Sequence, residues 1–215
     1  MFKSYRDLMV DEYLVAGADT AAGGTDYCAV QFISKTNLDV PLVYHSKKLA
    51  TEMTNELYPK LNEIYDITHV KPTIAYERNN GGVFEMERLA TLNKEGKFDL
   101  FKMPSMPRID TPESVKYGWD TNTATRPKML QELKECVDKH LLKIYDKPTI
   151  EEMLSFVVVQ TSSSWKAQAE AGAHDDRVMA LAIAWQLYQI CKQPNKDYDE
   201  QARRIIASRL DEPFE

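Results

Sequence analysis

The chain has 215 residues, 43% of them hydrophobic, which suits one sizeable core, and a formal net charge of -6 that argues against whole-molecule attraction to nucleic acid. Any DNA or RNA contact therefore needs a local basic face or bridging cations. Three widely separated cysteines, Cys28, Cys136 and Cys191, form no CxxC pair, which excludes a disulfide framework or zinc ribbon and fits a reducing cytosol. No apolar run approaches the roughly 20 residues needed to span a bilayer and the start lacks a signal core, so a soluble, intracellular protein is expected.

In chain order, Tyr13-Leu14-Val15-Ala16 reads as a buried strand and Tyr27–Ile33 as the next. Between them lies Gly17-Ala18-Asp19-Thr20-Ala21-Ala22-Gly23-Gly24-Thr25-Asp26, which puts Asp19 where an apolar run becomes a glycine-rich turn. A carboxylate at a strand end is rigidly held yet faces solvent, which suits a metal ligand or a phosphate-handling group; a simple turn aspartate is the other reading. Val40–His45 supplies a third strand, and three neighbouring antiparallel strands are the economical arrangement. Leu49, Met53, Leu57, Leu61 and Ile64 then recur at helical spacing, predicting an amphipathic helix over 49–65 that covers one sheet face.

Lys71–Glu77 reads as a strand after a crossover helix, parallel to a neighbour and ending in a carboxylate before Arg78-Asn79-Asn80-Gly81-Gly82. Its C-terminal end can lie beside that of the first strand and bring Glu77 to Asp19. A short helix follows over 82–92, carrying Val83, Phe84, Met86, Leu89 and Leu92, then a strand at Phe98–Phe101 and a proline-rich loop at 103–107.

Thr125 is expected to cap a helix with Pro127 in its first turn and Met129, Leu130, Leu133, Val137 and Leu141 on its apolar face. Arg126 and Lys128 near that start can grip phosphate or be ordinary exposed charges. Cys136 and His140, four apart on the same helix, read as structural rather than as half a metal site. Another helix is expected from near Thr149, with Glu151 and Glu152 in its first turn and Ile150, Met153, Leu154 and Phe156 packing inward. A strand at 157–160 and a polar turn at 161–164 lead to Trp165-Lys166.

Finally, His174-Asp175-Asp176-Arg177 opens a strongly apolar helix. One aspartate there caps a helix. Two, joined by Asp19 and Glu77, form a set of carboxylates that repel one another unless protonated or bound to cations. Magnesium and manganese favour oxygen ligands and keep waters. Two such ions roughly 3.5–4 Å apart can activate water and stabilise the leaving oxygen in phosphodiester cleavage.

These stretches, taken with Ala75–Asn79 and Tyr117-Gly118-Trp119, resemble in order the nuclease domain of the large terminase subunit of tailed bacteriophages. The resemblance implies an α/β, RNase H-like mixed sheet, three antiparallel strands plus parallel strands, flanked by helices. It implies a Mg2+- or Mn2+-dependent endonuclease, with a two-metal site, that cuts concatemeric double-stranded viral DNA during genome packaging. Asp19, Glu77 and Asp175 or Asp176 would carry the metals, with His174 and Lys166 as accessory residues. Arg78, Arg126 and Lys128 are expected against the DNA backbone, as are Lys47 and Lys48. Adjacent residues at a helix start point about 100° apart, so which of Asp175 and Asp176 is the direct ligand stays open.

The implied partners are the terminase ATPase domain, the portal and the small terminase subunit, in the cytoplasm of an infected bacterial host. Residues 1–195 are expected to form the nuclease domain and 196–215 a tail, partly helical. The sequence has no GxxxxGK[ST] loop, so ATP-driven translocation is not assigned to it and the chain reads as an isolated C-terminal nuclease portion. Three alternatives stand beside this reading: a resolvase or hybrid-cleaving relative on the same fold, an actin-like phosphate loop at the glycine-rich turn after Asp19, and a non-catalytic docking module.

Overall fold

The computed structural model describes residues 1–21, 26–103, 116–160, 165–169 and 174–193. The turn at 22–25, the proline-rich loop at 104–107, the turn at 161–164 and the tail from 194 lie outside the described residues. The elements are β1 (Phe2–Ser4), β2 (Leu14–Asp19), β3 (Cys28–Ser34), β4 (Asp39–Ser46), α1 (Ala50–Thr68), β5 (Thr73–Tyr76), α2 (Gly82–Leu92), β6 (Asp99–Leu100), β7 (Lys102–Met103), β8 (Lys116–Tyr117), α3 (Thr125–Asp138), β9 (Lys143–Ile144), α4 (Lys147–Leu154), β10 (Phe156–Gln160), β11 (Trp165–Ala169) and α5 (Asp176–Ile190).

The main sheet runs β1-β4-β3-β2-β5-β6, with β9 also against β4. Strand β3 is antiparallel to both of its neighbours, β2 and β4, and β5 and β6 continue the sheet parallel to β2. This is the expected mixed sheet. β10 and β11 pair as a separate antiparallel ribbon. No helix among the described residues is long and apolar enough to cross a membrane.

Side chains alternate across a strand, so β2 feeds two cores at once. Leu14, Ala16 and Ala18 face one way and pack with Phe32, Tyr76 and the α1 residues Met53, Leu57, Leu61 and Ile64. Tyr13 and Val15 face the other way, with Ala75 and the α5 residues Val178, Met179, Leu181, Ala182 and Ile183. Each fully buried aliphatic side chain in these layers contributes about 1.5–3 kcal/mol of transfer free energy, an upper estimate. By the same parity Gly17, Asp19 and Glu77 belong to the α5 side. The β2–β5 register pairs Ala18 with Tyr76, so the next positions along the two parallel strands are Asp19 and Glu77.

Several local expectations are corrected. β1 was not anticipated; its three residues pair with Tyr44, Val43 and Leu42, and Phe2 packs on the Tyr44 ring at 4.9 Å. Leu49 is not on the packed face of α1 but at its N-cap, 55% exposed. Residues 98–101 do not make one strand. The Phe101 N–H donates to the Ile74 carbonyl while its own carbonyl accepts from Gly118, so it is shared between the main sheet and the β7–β8 pair.

Thr125 is the first residue of α3 and not its cap: Ala124 holds the N-cap position with no side-chain cap bond, and Asn122 Oδ1 accepts from the Ala124 and Thr125 amides. His140 lies beyond the end of α3 in a left-handed turn, so Cys136 and His140 do not share a helix. In α4 the apolar residues Ile150 and Leu154 are exposed while Thr149 and Glu152 are buried. The inward face is polar because partners wait for it: Gln31 donates to Thr149 at 2.8 Å and Arg177 pairs with Glu152.

Candidate metal centre

Three elements deliver carboxylates to one place. Asp19 closes β2, and Glu77 follows β5, held there because its amide donates to the Ala18 carbonyl at 2.7 Å and the residue bridges Trp119. Asp176 is the first residue of α5, and Asp175 its N-cap. Asp19, Glu77 and Asp176 are each less than one-tenth exposed. The approach is set by glycine. A Cβ on Gly17 would lie 2.3 Å from the Ala180 carbonyl oxygen and 2.4 Å from the Ala184 nitrogen, so α5 rests directly on the β2 backbone. Gly82 likewise has no room for a side chain, because its Cβ would fall 1.7 Å from the Glu77 carbonyl oxygen.

The electrostatics are those of uncompensated acids. Burial pushes the Asp19 carboxyl well above the ordinary carboxylate range, and Glu77, within hydrogen-bonding reach of it, pushes it further, with Asp176 and Asp175 adding repulsion. Asp176 is also raised, first by burial and then by Asp175. The Tyr27 amide donates to its carboxylate, yet Asp176 Oδ2 is buried with no hydrogen-bond partner. Three described arginines are paired: Arg126 with Asp175 at 2.6 Å, Arg78 with Asp120 at 3.6 Å, and Arg177 with Glu152. His174 Nδ1 lies 3.7 Å from the orphaned Asp176 oxygen.

The set Asp19, Glu77 and Asp176 fits a hard divalent cation: it is all oxygen, no described lysine or arginine pairs with it, and it contains a buried carboxylate oxygen with no hydrogen-bond partner. As the side chains stand, no three described His, Cys, Asp or Glu groups are disposed around a single ion position. Asp19 and Glu77 instead lie within hydrogen-bonding reach of each other.

The other sequence-selected residues divide. Asp175 is a third exposed and tied to Arg126, so that arginine faces the acids rather than free solvent. His174 is 45% exposed at the rim. Arg78 also donates to the Tyr117 carbonyl at 3.2 Å, and Lys128 is 73% exposed on α3 beside Glu132. Lys47 lies 5.0 Å over the Tyr27 ring, and Lys48 pairs with Glu56. Lys166 stands in β11 opposite Val159.

Sequence reasoning missed what lies behind Asp176. The Arg177 amide and guanidinium both bond Glu152, and the same guanidinium reaches His45 Nδ1 at 2.9 Å and Asp146 at 3.7 Å. Tyr5 and Thr149 complete the group by donating to Asp146. His45, stacked on Tyr27 at 4.3 Å, is pushed down to about 4 by burial and by Arg177, and is neutral at physiological pH. An arginine beside the acidic pair was a visible signal; its partners, far away in sequence, were not.

No protein-family model and no curated protein matches the chain, but solved structures do. The chain is similar to the large terminase nuclease of the thermophilic phage G20c with bound magnesium, at TM-score 0.61 and 16% identity, covering 86% of each chain. It is similar to the large terminase nuclease domain of Thermus phage P74-26, at TM-score 0.58 and 17% identity, covering 90% of this chain and 87% of that one. The human cytomegalovirus terminase nuclease domain, soaked with manganese and bound to an inhibitor, matches at TM-score 0.56 and 12% identity over 81% and 82%. The mixed sheet that carries Asp19 and Glu77 is therefore RNase H-like, and the chain has the fold of these phage and cytomegalovirus terminase nuclease domains.

Proposed function

We propose that this chain is a divalent-metal-dependent endonuclease that cleaves double-stranded viral DNA during genome packaging. The observation that carries the reading is the convergence of Asp19, Glu77 and Asp176 from β2, the end of β5 and α5, buried and unpaired with any lysine or arginine among the described residues. The likeness of fold to nuclease domains crystallised with magnesium, cobalt or zinc supports it. Asp19, Glu77 and Asp176 would hold Mg2+ or Mn2+ through their carboxylate oxygens. Asp175, shared with Arg126, sits at the edge of that set. When bound, such ions supply a nucleophilic water and stabilise the developing charge on phosphate.

The chain's own residues do the rest. Asp19 and Glu77, on adjacent parallel strands, form a rigid floor, and α5 presents Asp176 over it. His174, exposed and beside Asp176, is placed to exchange protons with solvent at the leaving oxygen. Arg78 and Lys128 are proposed as phosphate contacts, with Lys166 as an accessory residue. Cleavage falls with salt, as backbone-dominated DNA binding does. The partners proposed are duplex DNA, the ATPase portion of the terminase, the portal and the small subunit, in the infected host's cytoplasm.

The test is cleavage of supercoiled plasmid, linear duplex, a four-way junction and an RNA–DNA hybrid, in Mg2+, in Mn2+ and in chelator, by wild type and Asp19→Asn. Metal-dependent cutting of plasmid and linear duplex, lost in the variant, is expected. Preference for the junction or hybrid moves the function to a resolvase or hybrid nuclease. Full activity in chelator or in Asp19→Asn overturns the reading.

A further inference from the structure

Asp176 is buried among carboxylates that repel it, and among the described groups around it the half-exposed His174 and the Tyr27 amide oppose that repulsion. What restrains it is the next residue. Arg177, 16% exposed, is enclosed by groups from two other elements: Glu152 and Asp146 at α4, and His45 on β4. Glu152 grips it twice, accepting from the backbone amide at 2.9 Å and from the guanidinium. Asp146, itself the N-cap of α4, is fixed by Tyr5 and Thr149, and Thr149 by Gln31 of β3.

We infer that the Glu152–Arg177 pair is a positioning clamp that locks the first turn of α5 and holds Asp176 at the metal centre against the repulsion of Asp19, Glu77 and Asp175. Two features separate this from ordinary helix capping. Glu152 lies 25 residues away on another helix and takes both the amide and the side chain of one residue, which fixes the phase of α5 as well as its position. And Arg177 faces two carboxylates of its own, Glu152 and Asp146, so its charge is spent there and the centre's need for a cation is left intact. Groups that orient ligands in this way alter metal affinity or activity by about 10- to 100-fold when removed.

The inference rests on the proposed metal centre, and the experiment separates the two. Mn2+ binding to the full chain is measured by calorimetry for wild type, Glu152→Ala, Glu152→Gln and Arg177→Lys, with melting in chelator measured alongside. Expected is a Kd weakened about 10- to 100-fold in Glu152→Ala, and less in Glu152→Gln, whose amide oxygen still accepts from the Arg177 N–H. Saturating Mn2+ should recover most of the cleavage rate. If Glu152→Ala does not fold, Arg177→Lys, which keeps the charge and loses the fork, must show the weakening. Variants that melt lower but bind Mn2+ as wild type does overturn the clamp and leave the metal centre standing. A wild type that binds no Mn2+ overturns both.

Discussion

Replacing Gly17 by alanine is the sharpest perturbation of the site that touches no acid. The new Cβ would lie 2.3 Å from the Ala180 carbonyl oxygen, 2.4 Å from the Ala184 nitrogen and 2.8 Å from the Ile183 Cβ, all on α5. Two of these are backbone atoms and cannot rotate away. Against an ordinary contact of 3.4 Å or more, α5 must retreat from β2 by about 1 Å. Ala180 is one helical turn from Asp176, and Gly17 two residues from Asp19, so the retreat separates the carboxylates meant to share ions. Overpacking of this kind costs about 1–3 kcal/mol, or a fall of about 2–12 °C in Tm for a chain of this size. A displacement of about 1 Å costs on the order of 100-fold in rate. The assay is plasmid nicking at saturating Mn2+, well below the melting temperature, with circular dichroism to show that the variant is folded. A Gly17→Ala protein with wild-type rate and wild-type melting would refute the close approach of α5 as the device that builds the site.

Asp19→Asn should abolish cleavage yet stabilise the metal-free protein by about 0.5–2 kcal/mol, as relief of a strained functional site does. The sign follows from its raised pKa: the protonated form favours the fold, so Asp19's contribution is complete below the ordinary carboxylate range and is lost as pH rises through the raised value. The advantage of Asp19→Asn in chelator, read as Tm, should therefore grow as pH rises toward neutrality. Mg2+ or Mn2+ at about 100 times Kd should stabilise wild type by about 2.7 kcal/mol, and thermal scans of Asp19→Asn should show little of that gain. Asp176→Asn should lose far more activity than Asp175→Asn, because Asp176 is buried with an orphaned oxygen while Asp175 is a third exposed and paired with Arg126; equal kinetic losses would count against that assignment. Leu61→Ala, buried on the α1 side of the sheet, should cost about 2–5 kcal/mol by denaturant titration while leaving the rate per folded molecule unchanged.

The sheet and its two principal helices were legible because their signals are local. Apolar runs ending in turn residues marked β2, β3 and β4, and the spacing of Met53, Leu57, Leu61 and Ile64 marked α1. The carboxylates were legible as residues at element ends. What could not be read was whatever depends on partners distant in sequence. In α4, Ile150 and Leu154 were assigned inward by hydrophobicity, but Thr149 and Glu152 are buried because Gln31 and Arg177 satisfy them, 118 and 25 residues away. Thr125 has a capping side chain, but the turn that Asn122 makes by accepting from the Ala124 and Thr125 amides puts Thr125 inside the helix. β1 escaped notice because three residues carry no periodicity, and only its pairing with β4 defines it. Gly17 was visible as a glycine, but that its missing Cβ admits α5, which begins 159 residues later at Asp176, was not.

Crystals soaked in Mn2+ and measured at an anomalous wavelength test the central claim most directly. The account predicts manganese between Asp19, Glu77 and Asp176, with the Asp19–Glu77 contact opened to admit it and Asp175 at the margin. Manganese bound elsewhere, or an Asp19–Glu77 pair still closed on itself in a protein that cleaves DNA under the same conditions, would contradict it.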